Sequence, residues 1–171
     1  MAREYFIYLN EKEIDYIELL NQFKEEFSDM YLENNDRVYD YYGEIGFTIT
    51  SYSEKTNYKK DVLDFIEYNL FFKTIQSFTL RVYYPNIEII DGIEYQAPLE
   101  DHIFYSNLNK VCSIIYRLSN SDLLMLYYDD VWFYRLEGVL YVTKEFSDKN
   151  VFQYFDFIIN NNFVVVDKNI V

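Results

Sequence analysis

The sequence is poor in the residues from which small proteins build metal sites and disulfides. Cys112 is the only cysteine and His102 the only histidine among 171 residues. A single cysteine excludes an internal disulfide, which is typical of proteins from reducing compartments. One Cys and one His also exclude a zinc site of Cys and His ligands within one chain. We therefore expect neither a metal nor another cofactor.

Glycine-rich motifs and long apolar segments are also lacking. The four glycines form neither a phosphate-binding loop nor a dinucleotide-binding fingerprint. No apolar run approaches the roughly 18 residues that cross a bilayer, and the N-terminus does not show the apolar segment of a secretion signal. We expect a soluble, cytoplasmic protein without membrane contacts.

Basic residues are scarce relative to acidic ones. The chain has 15 Lys and Arg against 29 Asp and Glu, which gives a net charge of −14. Nucleic acids and anionic lipids are bound through Lys and Arg, so we expect neither of them as a partner. A strongly negative surface instead attracts basic proteins and accelerates their encounter.

Aromatic residues are abundant, with 20 Tyr and 15 Phe, and half of all residues are hydrophobic, which is typical of a globular protein. Residues 4–9 predict a strand. Asn10 and Glu13 match a capping box, so we predict that a helix begins at Asn10. Its apolar face would consist of Tyr16, Leu19, Leu20, Phe23 and Phe27.

The middle of the chain predicts further strands and a second helix. Residues 30–52 predict two or three short strands, because turn residues interrupt their apolar pattern. Residues 59–72 predict a helix from the spacing of Leu63, Ile66 and Leu70. Residues 77–85 predict a strand, and residues 86–103 a loop, with two short strands around Asp91-Gly92 as an alternative.

The last part of the chain predicts a third helix and three strands. Ser106 is the expected cap of this helix, whose apolar face contains Leu108, Val111, Cys112, Ile115 and Leu118. Three strands in residues 123–142 would be joined by turns at Asp129-Asp130 and Glu137-Gly138. We therefore predict one α+β domain over residues 1–171, with an antiparallel sheet packed by about three helices. Residues 145–171 allow both helix and strand.

The tetrapeptide at residues 127–130, Tyr-Tyr-Asp-Asp, resembles the metal-binding motif of template-directed polymerases. Two catalytic metals require a third carboxylate and a basic groove for the template, and the chain has no basic stripe. We therefore predict that Asp129-Asp130 is only a turn. His102 would support catalysis only in a deep pocket beside a nucleophile, and no Gly-x-Ser-x-Gly motif occurs. We predict that the protein is not an enzyme.

Acidic residues are most concentrated in residues 25–44, where seven Asp and Glu stand against Arg37 alone. This segment is either a solvated face with half-buried tyrosines or a protein-binding surface. Tyrosine is enriched at binding hot spots, and clustered carboxylates steer a basic partner. On the second interpretation the partner-binding residues are Glu25, Glu26, Asp29, Glu33, Asp36, Tyr39, Asp40, Tyr41, Tyr42 and Glu44.

Three segments resemble immunity proteins of the swarming-inhibition (Sit) toxin class. The opening strand carries Glu4 and Tyr5, and a middle strand carries Gly46, Phe47 and Ser51. The closing hairpins carry the remaining matches, which are Asp122, Leu123, Leu124, Met125, Asp129, Asp130, Arg135, Gly138, Val139, Leu140 and Tyr141. Residues 71–105 depart from the pattern as an apparent insertion.

The resemblance implies a cytoplasmic antitoxin that binds the toxin domain of a contact-delivered polymorphic toxin. Our leading hypothesis is therefore an immunity protein that occludes the active or substrate-binding site of a basic toxin such as a nuclease. The alternative is an acidic DNA-mimic inhibitor of a DNA-binding protein. A mimic requires carboxylates in phosphate-like rows over most of its surface, whereas residues 68–171 carry a smaller share of the negative charge.

Overall fold

The computed structural model describes residues 3–10, 14–36, 38–53, 62–65, 68 and 70–167. The first strands and helix are β1 (Glu4–Asn10), α1 (Tyr16–Glu26), β2 (Tyr31–Asn35), β3 (Val38–Tyr42), β4 (Phe47–Ser53), β5 (Val62–Phe65) and β6 (Leu70–Val82). They are followed by β7 (Asn86–Ile90), β8 (Ile93–Ala97), α2 (Asp101–Leu118), β9 (Leu123–Tyr127), β10 (Asp130–Leu136) and β11 (Val139–Thr143). The chain then forms α3 (Lys144–Ser147), a 3-10 helix (Asn150–Tyr154), α4 (Asp156–Ile159) and β12 (Phe163–Val166). The predicted α+β class is confirmed.

Ten strands of the described chain form one large sheet in the order β12-β11-β10-β9-β1-β6-β4-β3-β2, with β5 paired to β6 beside this path. Neighbouring strands are antiparallel, except that β12 runs parallel to β11. The long strand β6 is central, because it pairs with β1, β4 and β5. β7 and β8 form a separate two-stranded sheet.

The two long helices lie on one side of the large sheet and enclose the main core. Side chains alternate across a strand, so β1 directs Tyr5, Ile7 and Leu9 into this core. The predicted apolar face of α2 is buried at Leu108, Val111, Cys112 and Ile115 and partly buried at Leu118. We call this side of the sheet the helix side.

The opposite side of the sheet is only partly enclosed. Leu70 and Phe72, at the start of β6, pack with Leu124, Leu126 and Tyr134 in a second apolar cluster. Over β2, β3 and β4, the side chains on this side that the structure describes are half-buried or exposed. The uneven covering leaves part of a large sheet in contact with solvent.

Two predicted helix starts are wrong. Helix α1 does not begin at Asn10, which belongs to β1. Its N-cap is Asp15, whose carboxylate accepts hydrogen bonds of 2.9 Å from the backbone N–H groups of Ile17 and Glu18. Helix α2 begins at Asp101, and its N-cap Glu100 lies six residues before the expected cap Ser106.

The helix predicted for residues 59–72 is also wrong. The described residues of this segment include strand β5 and the start of β6, which pair antiparallel with Leu63 opposite Phe72. Pairing between strands outweighs the helical spacing of three apolar residues, because tertiary contacts override a weak local pattern. The alternative of two short strands around Asp91-Gly92 is confirmed by β7 and β8.

Gly46 is required at the start of β4, and its replacement tests the packing beneath it. Its φ is +91°, and a Cβ there would lie 2.9 Å from Leu99 Cδ1 and 3.0 Å from Phe104 Cδ2. Gly46→Ala should lower the free energy of unfolding by about 2–4 kcal/mol, because backbone strain and overpacking add. Gly138→Ala is the matched control, since φ is +80° and no atom of the described residues lies within 4 Å of such a Cβ.

The two glycine variants are compared by urea unfolding, followed by the fluorescence of the single tryptophan, Trp132, which is 3% exposed and stacks on Phe146. We expect Gly138→Ala to lose about 1–2 kcal/mol, the cost of the left-handed backbone alone. Equal losses for both variants would show that the contacts to Leu99 and Phe104 contribute nothing.

Candidate functional site

The solvent-facing side of β2, β3, β4 and their neighbours forms a continuous polar and aromatic surface. The register places Tyr31 opposite Tyr42, Glu33 opposite Asp40, and Asp40 opposite Thr50. Residues directly opposite in antiparallel strands share one face of the sheet. We call this surface the open face; it consists of Glu4, Phe6, Tyr31, Glu33, Asp40, Tyr42, Thr48, Thr50, Tyr52, Thr79 and Arg81.

The centre of the open face is concave. A depression of about 240 Å³ lies over β1, β4 and β6. Thr50 of β4 and Thr79 of β6, which lie opposite each other, are among the residues that line it. At its rim, Arg81 Nε lies 2.8 Å from Glu4 Oε1. Because Glu4 offsets the charge of Arg81, the depression does not attract anions strongly.

Negative charge is concentrated at the β2–β3 end of the open face. Glu33 and Asp40 are directly opposite each other, and like charges in this position destabilise a strand pair. Asp40 Oδ1 accepts a hydrogen bond of 2.6 Å from Thr50 Oγ1, which fixes its carboxylate. The register thus brings two acidic residues to neighbouring positions on the open face, where a cation from another molecule would offset their like charge.

Two tyrosines lie beside these carboxylates. The rings of Tyr31 and Tyr42 stack with their centroids 5.3 Å apart, and Tyr31 is 51% exposed. Partial burial raises the pKa of Tyr42, and the charges of Asp40 and Glu33 raise it further. The phenol therefore remains protonated at neutral pH. An exposed ring pair with a polar tip provides apolar contact area and a hydrogen-bond donor at one place.

Asp29 and Glu44 form an acidic corner at one end of the open face. Asp29 Oδ2 accepts a hydrogen bond of 2.6 Å from Glu44 N, which joins the α1–β2 and β3–β4 connections. The hydroxyl of Tyr83 donates to the carbonyl of Gly43 at the same place. Burial raises the pKa of Tyr83, and the charges of Asp29 and Glu44 contribute to the increase.

Most of the predicted partner-binding residues lie on or beside the open face. Glu33, Asp40 and Tyr42 belong to it, and Asp29, Asp36 and Glu44 are exposed in the connections before β2, between β2 and β3, and after β3. Glu25 and Glu26 are exposed at the end of α1, on the helix side. Glu26 Oε2 also lies 3.9 Å from Lys110 Nζ of α2. Residues 25–44 thus include β2, an edge strand of the large sheet, and the carboxylates of these residues are mostly exposed.

Two of the predicted tyrosines face the helix side, and their assignment to a partner surface is corrected. Tyr41 is completely buried, donates a hydrogen bond of 3.1 Å to the carbonyl of Tyr16, and packs edge-on against Phe23. Tyr39 is half-buried and stacks on Tyr16 with centroids 4.2 Å apart. Strand alternation sends both rings toward α1, whereas Tyr42 faces solvent.

The remaining residues of the open face were missed in the sequence. Tyr31 could have been found, because it stands two residues before Glu33 in β2, and residues two apart in a strand share a face. Thr48, Thr50 and Tyr52 likewise alternate along β4. Thr79 and Arg81 join the surface through the pairing of β4 with β6, which connects distant segments and leaves no local signal.

The residues considered for catalysis do not converge. His102 is exposed in the first turn of α2, and its Nδ1 lies 3.4 Å from Glu100 Oε2. Burial raises the pKa of the Cys112 thiol, which keeps it protonated and unreactive. Within the described residues, no three His, Cys, Asp or Glu side chains are placed to hold a metal ion.

The predicted turn at Asp129-Asp130 is shifted by one residue. Tyr128 and Asp129 form the turn, with Tyr128 at a φ of 51°, and Asp130 is the first residue of β10, opposite Tyr127. The two aspartates therefore belong to a tight β-hairpin connection.

Comparison with known proteins gives no match: no family model, no curated protein and no solved structure corresponds to the chain. In the described parts of the chain, no helix is long and apolar enough to cross a membrane. The resemblance to Sit-class immunity proteins thus stays a hypothesis. Several residues that carry it have structural roles: Ser51 is buried and accepts a hydrogen bond of 2.9 Å from Gln76 Nε2.

Proposed function

We propose that the protein is an immunity protein, which binds a basic toxin domain and occludes its active or substrate-binding site. One observation carries the proposal: the sheet exposes a face on which stacked tyrosines adjoin opposed carboxylates. Such a face combines the hot-spot residue type with charges that steer a basic protein. The resemblance to the Sit class supports the same function.

The cost of the Glu33–Asp40 pair favours a role outside folding. Neither carboxylate is needed to bury apolar area, and their opposition weakens the hairpin. A Lys or Arg placed between them would gain two attractive interactions at once. The arrangement therefore suits the recognition of a cationic side chain.

A DNA mimic is the weaker candidate. Mimicry needs carboxylates in regular rows, whereas the open face interleaves its carboxylates with threonines and aromatic rings. Hydroxyl and aromatic groups suit a protein surface that alternates polar and apolar contacts. An immunity protein of this kind would act in the cytoplasm of the producing cell.

Growth rescue tests the proposed function. The probe is the C-terminal domain of any large secreted protein found to be encoded beside the gene for this chain, and the absence of such a neighbour would count against the proposal. Its expression alone should stop bacterial growth, and co-expression of the chain should restore growth. Co-purification of the two polypeptides as a stable complex should accompany the rescue. A toxic domain that remains equally toxic in the presence of the chain would contradict the proposal.

A further inference from the structure

The β7–β8 hairpin is an apolar arm that the rest of the protein leaves uncovered. All five residues of β7 and the first four of β8 are exposed. Ile87 is 67% exposed and Ile89 70%, and on the other face of the hairpin Ile90 and Ile93 lie opposite each other and are more than half exposed. Apolar patches on soluble proteins mark interaction sites when they are contiguous.

The hairpin has a defined shape without support from the core. Its strands are joined by Asp91-Gly92, whose φ values of 52° and 76° fit a tight hairpin turn. Among the described residues, no other strand pairs with β7 or β8. An isolated two-stranded hairpin is marginally stable in water, so burial against another molecule would stabilise this one.

The charges of the hairpin indicate what covers it. Residues 86–97 contain Glu88, Asp91 and Glu94 and no basic residue. A second copy of the chain would oppose these carboxylates with the same three carboxylates, and an anionic lipid surface would repel them. A protein with an apolar cleft and Lys or Arg at its rim would instead match both properties of the arm.

The base of the hairpin is fixed beside the acidic corner. Tyr83, between β6 and β7, bonds the β3–β4 connection twice: its hydroxyl donates to the carbonyl of Gly43, and its N–H donates to that of Gly46 at 3.0 Å. At the return of the hairpin, Asn86 Nδ2 donates to the carbonyl of Pro98 at 3.2 Å. The arm therefore extends from the same end of the sheet as Asp29 and Glu44.

We propose that this hairpin inserts into an apolar cleft, rimmed by basic residues, of the toxin domain that the open face contacts. The inference rests on the proposed function and adds the element that would fill the cleft. The open face and acidic corner attract and orient the partner, and the isoleucines are buried on binding.

Replacing the isoleucines with threonine tests the proposal. Ile87→Thr/Ile89→Thr removes apolar area but retains β-branched side chains, so the hairpin should persist. The control Val164→Thr/Val165→Thr changes two β-branched residues of β12 that are about half exposed, at the opposite edge of the large sheet from β2. Binding to the neighbour-encoded toxin domain is measured by isothermal titration calorimetry. We expect the hairpin variant to bind about 100-fold more weakly and the control to match the wild type.

Each outcome separates this inference from the proposed function. Tight binding by the wild type and by the hairpin variant would overturn the inference and leave the proposed function intact. A wild-type chain that fails to bind would contradict both. Sedimentation of the free chain adds a further test: a dimer that dissociates in the Ile87→Thr/Ile89→Thr variant would show that a second copy covers the arm, and would also overturn the inference.

Discussion

Replacing Arg135 with alanine is expected to lower the free energy of unfolding by about 3–5 kcal/mol. Arg135 is 6% exposed, and its guanidinium donates to three carbonyl groups at the end of α2. Nη1 bonds Tyr116 at 2.8 Å, Nη2 bonds Ser119 at 2.5 Å, and Nε bonds Ser121 at 3.0 Å. The carbonyls of Tyr116 and Ser119 are ones that the helix terminus leaves without intrahelical partners, whereas Ser121 lies in the connection to β9; the helix dipole also favours a cation there.

Two further variants establish the cause of the loss. Arg135→Lys should recover only a small part of the stability, because one ammonium group cannot reproduce the planar fork or its stacking on Tyr116, 4.2 Å from the ring centroid. Arg117→Ala is the matched control, since Arg117 is an exposed arginine in the last turn of the same helix. Urea unfolding monitored by Trp132 fluorescence gives the free energy of unfolding of the three variants. A loss no larger for Arg135→Ala than for Arg117→Ala would refute the capping role.

Reversing two exposed carboxylates, one on the open face and one at its acidic corner, should slow toxin association by about tenfold or more. The variant is Glu33→Lys/Glu44→Lys. Asp36 is left unchanged because it adopts a φ of 45°, and Asp40 because it accepts the bond from Thr50. Attraction at long range is screened over about 8 Å at physiological salt, so the difference from wild type should shrink as salt rises.

The control for charge reversal changes the same number of charges elsewhere. Asp148→Lys/Asp156→Lys alters exposed residues of the helical elements near the C-terminus. Stopped-flow mixing with the toxin domain should show near wild-type association for this control, apart from the effect of net charge. Tyr42→Ala should act mainly on dissociation, because its ring offers contact area. If both charge-reversal variants associate equally slowly, only net charge matters and the interface lies elsewhere.

The fold could be predicted where local patterns and final contacts agree. The opening strand, the apolar face of α2 and the closing hairpins follow from spacing and turn residues within short segments. Residues 62–72 could not be predicted, because β5 is stabilised by pairing with β6 while its apolar spacing also suits a helix. The start of α1 was misplaced because Asn10 and Glu13 match a capping box, whereas Asp15 caps the helix.

The sequence predicts the negative charge of the candidate site but only some of the residues that form it. Clustered carboxylates in residues 25–44 are visible in the sequence, and alternation alone separates buried Tyr41 from half-exposed Tyr42. Which face of β2, β3 and β4 is exposed depends on which side of the sheet α1 and α2 cover. The sequence of residues 86–97 suits both a loop and two short strands, and nothing in it indicates that the isoleucines of the hairpin arm remain exposed.

Amide hydrogen exchange of the chain, with and without the neighbour-encoded toxin domain, shows whether the open face and the hairpin arm bind the toxin. It reports which backbone segments become protected when the two proteins bind. We expect slower exchange in β2, β3 and the β7–β8 hairpin on addition of the toxin domain, and unchanged exchange in β11 and β12. Protection confined to β11 and β12, or no protection at saturating toxin domain, would contradict an immunity protein that binds through these surfaces.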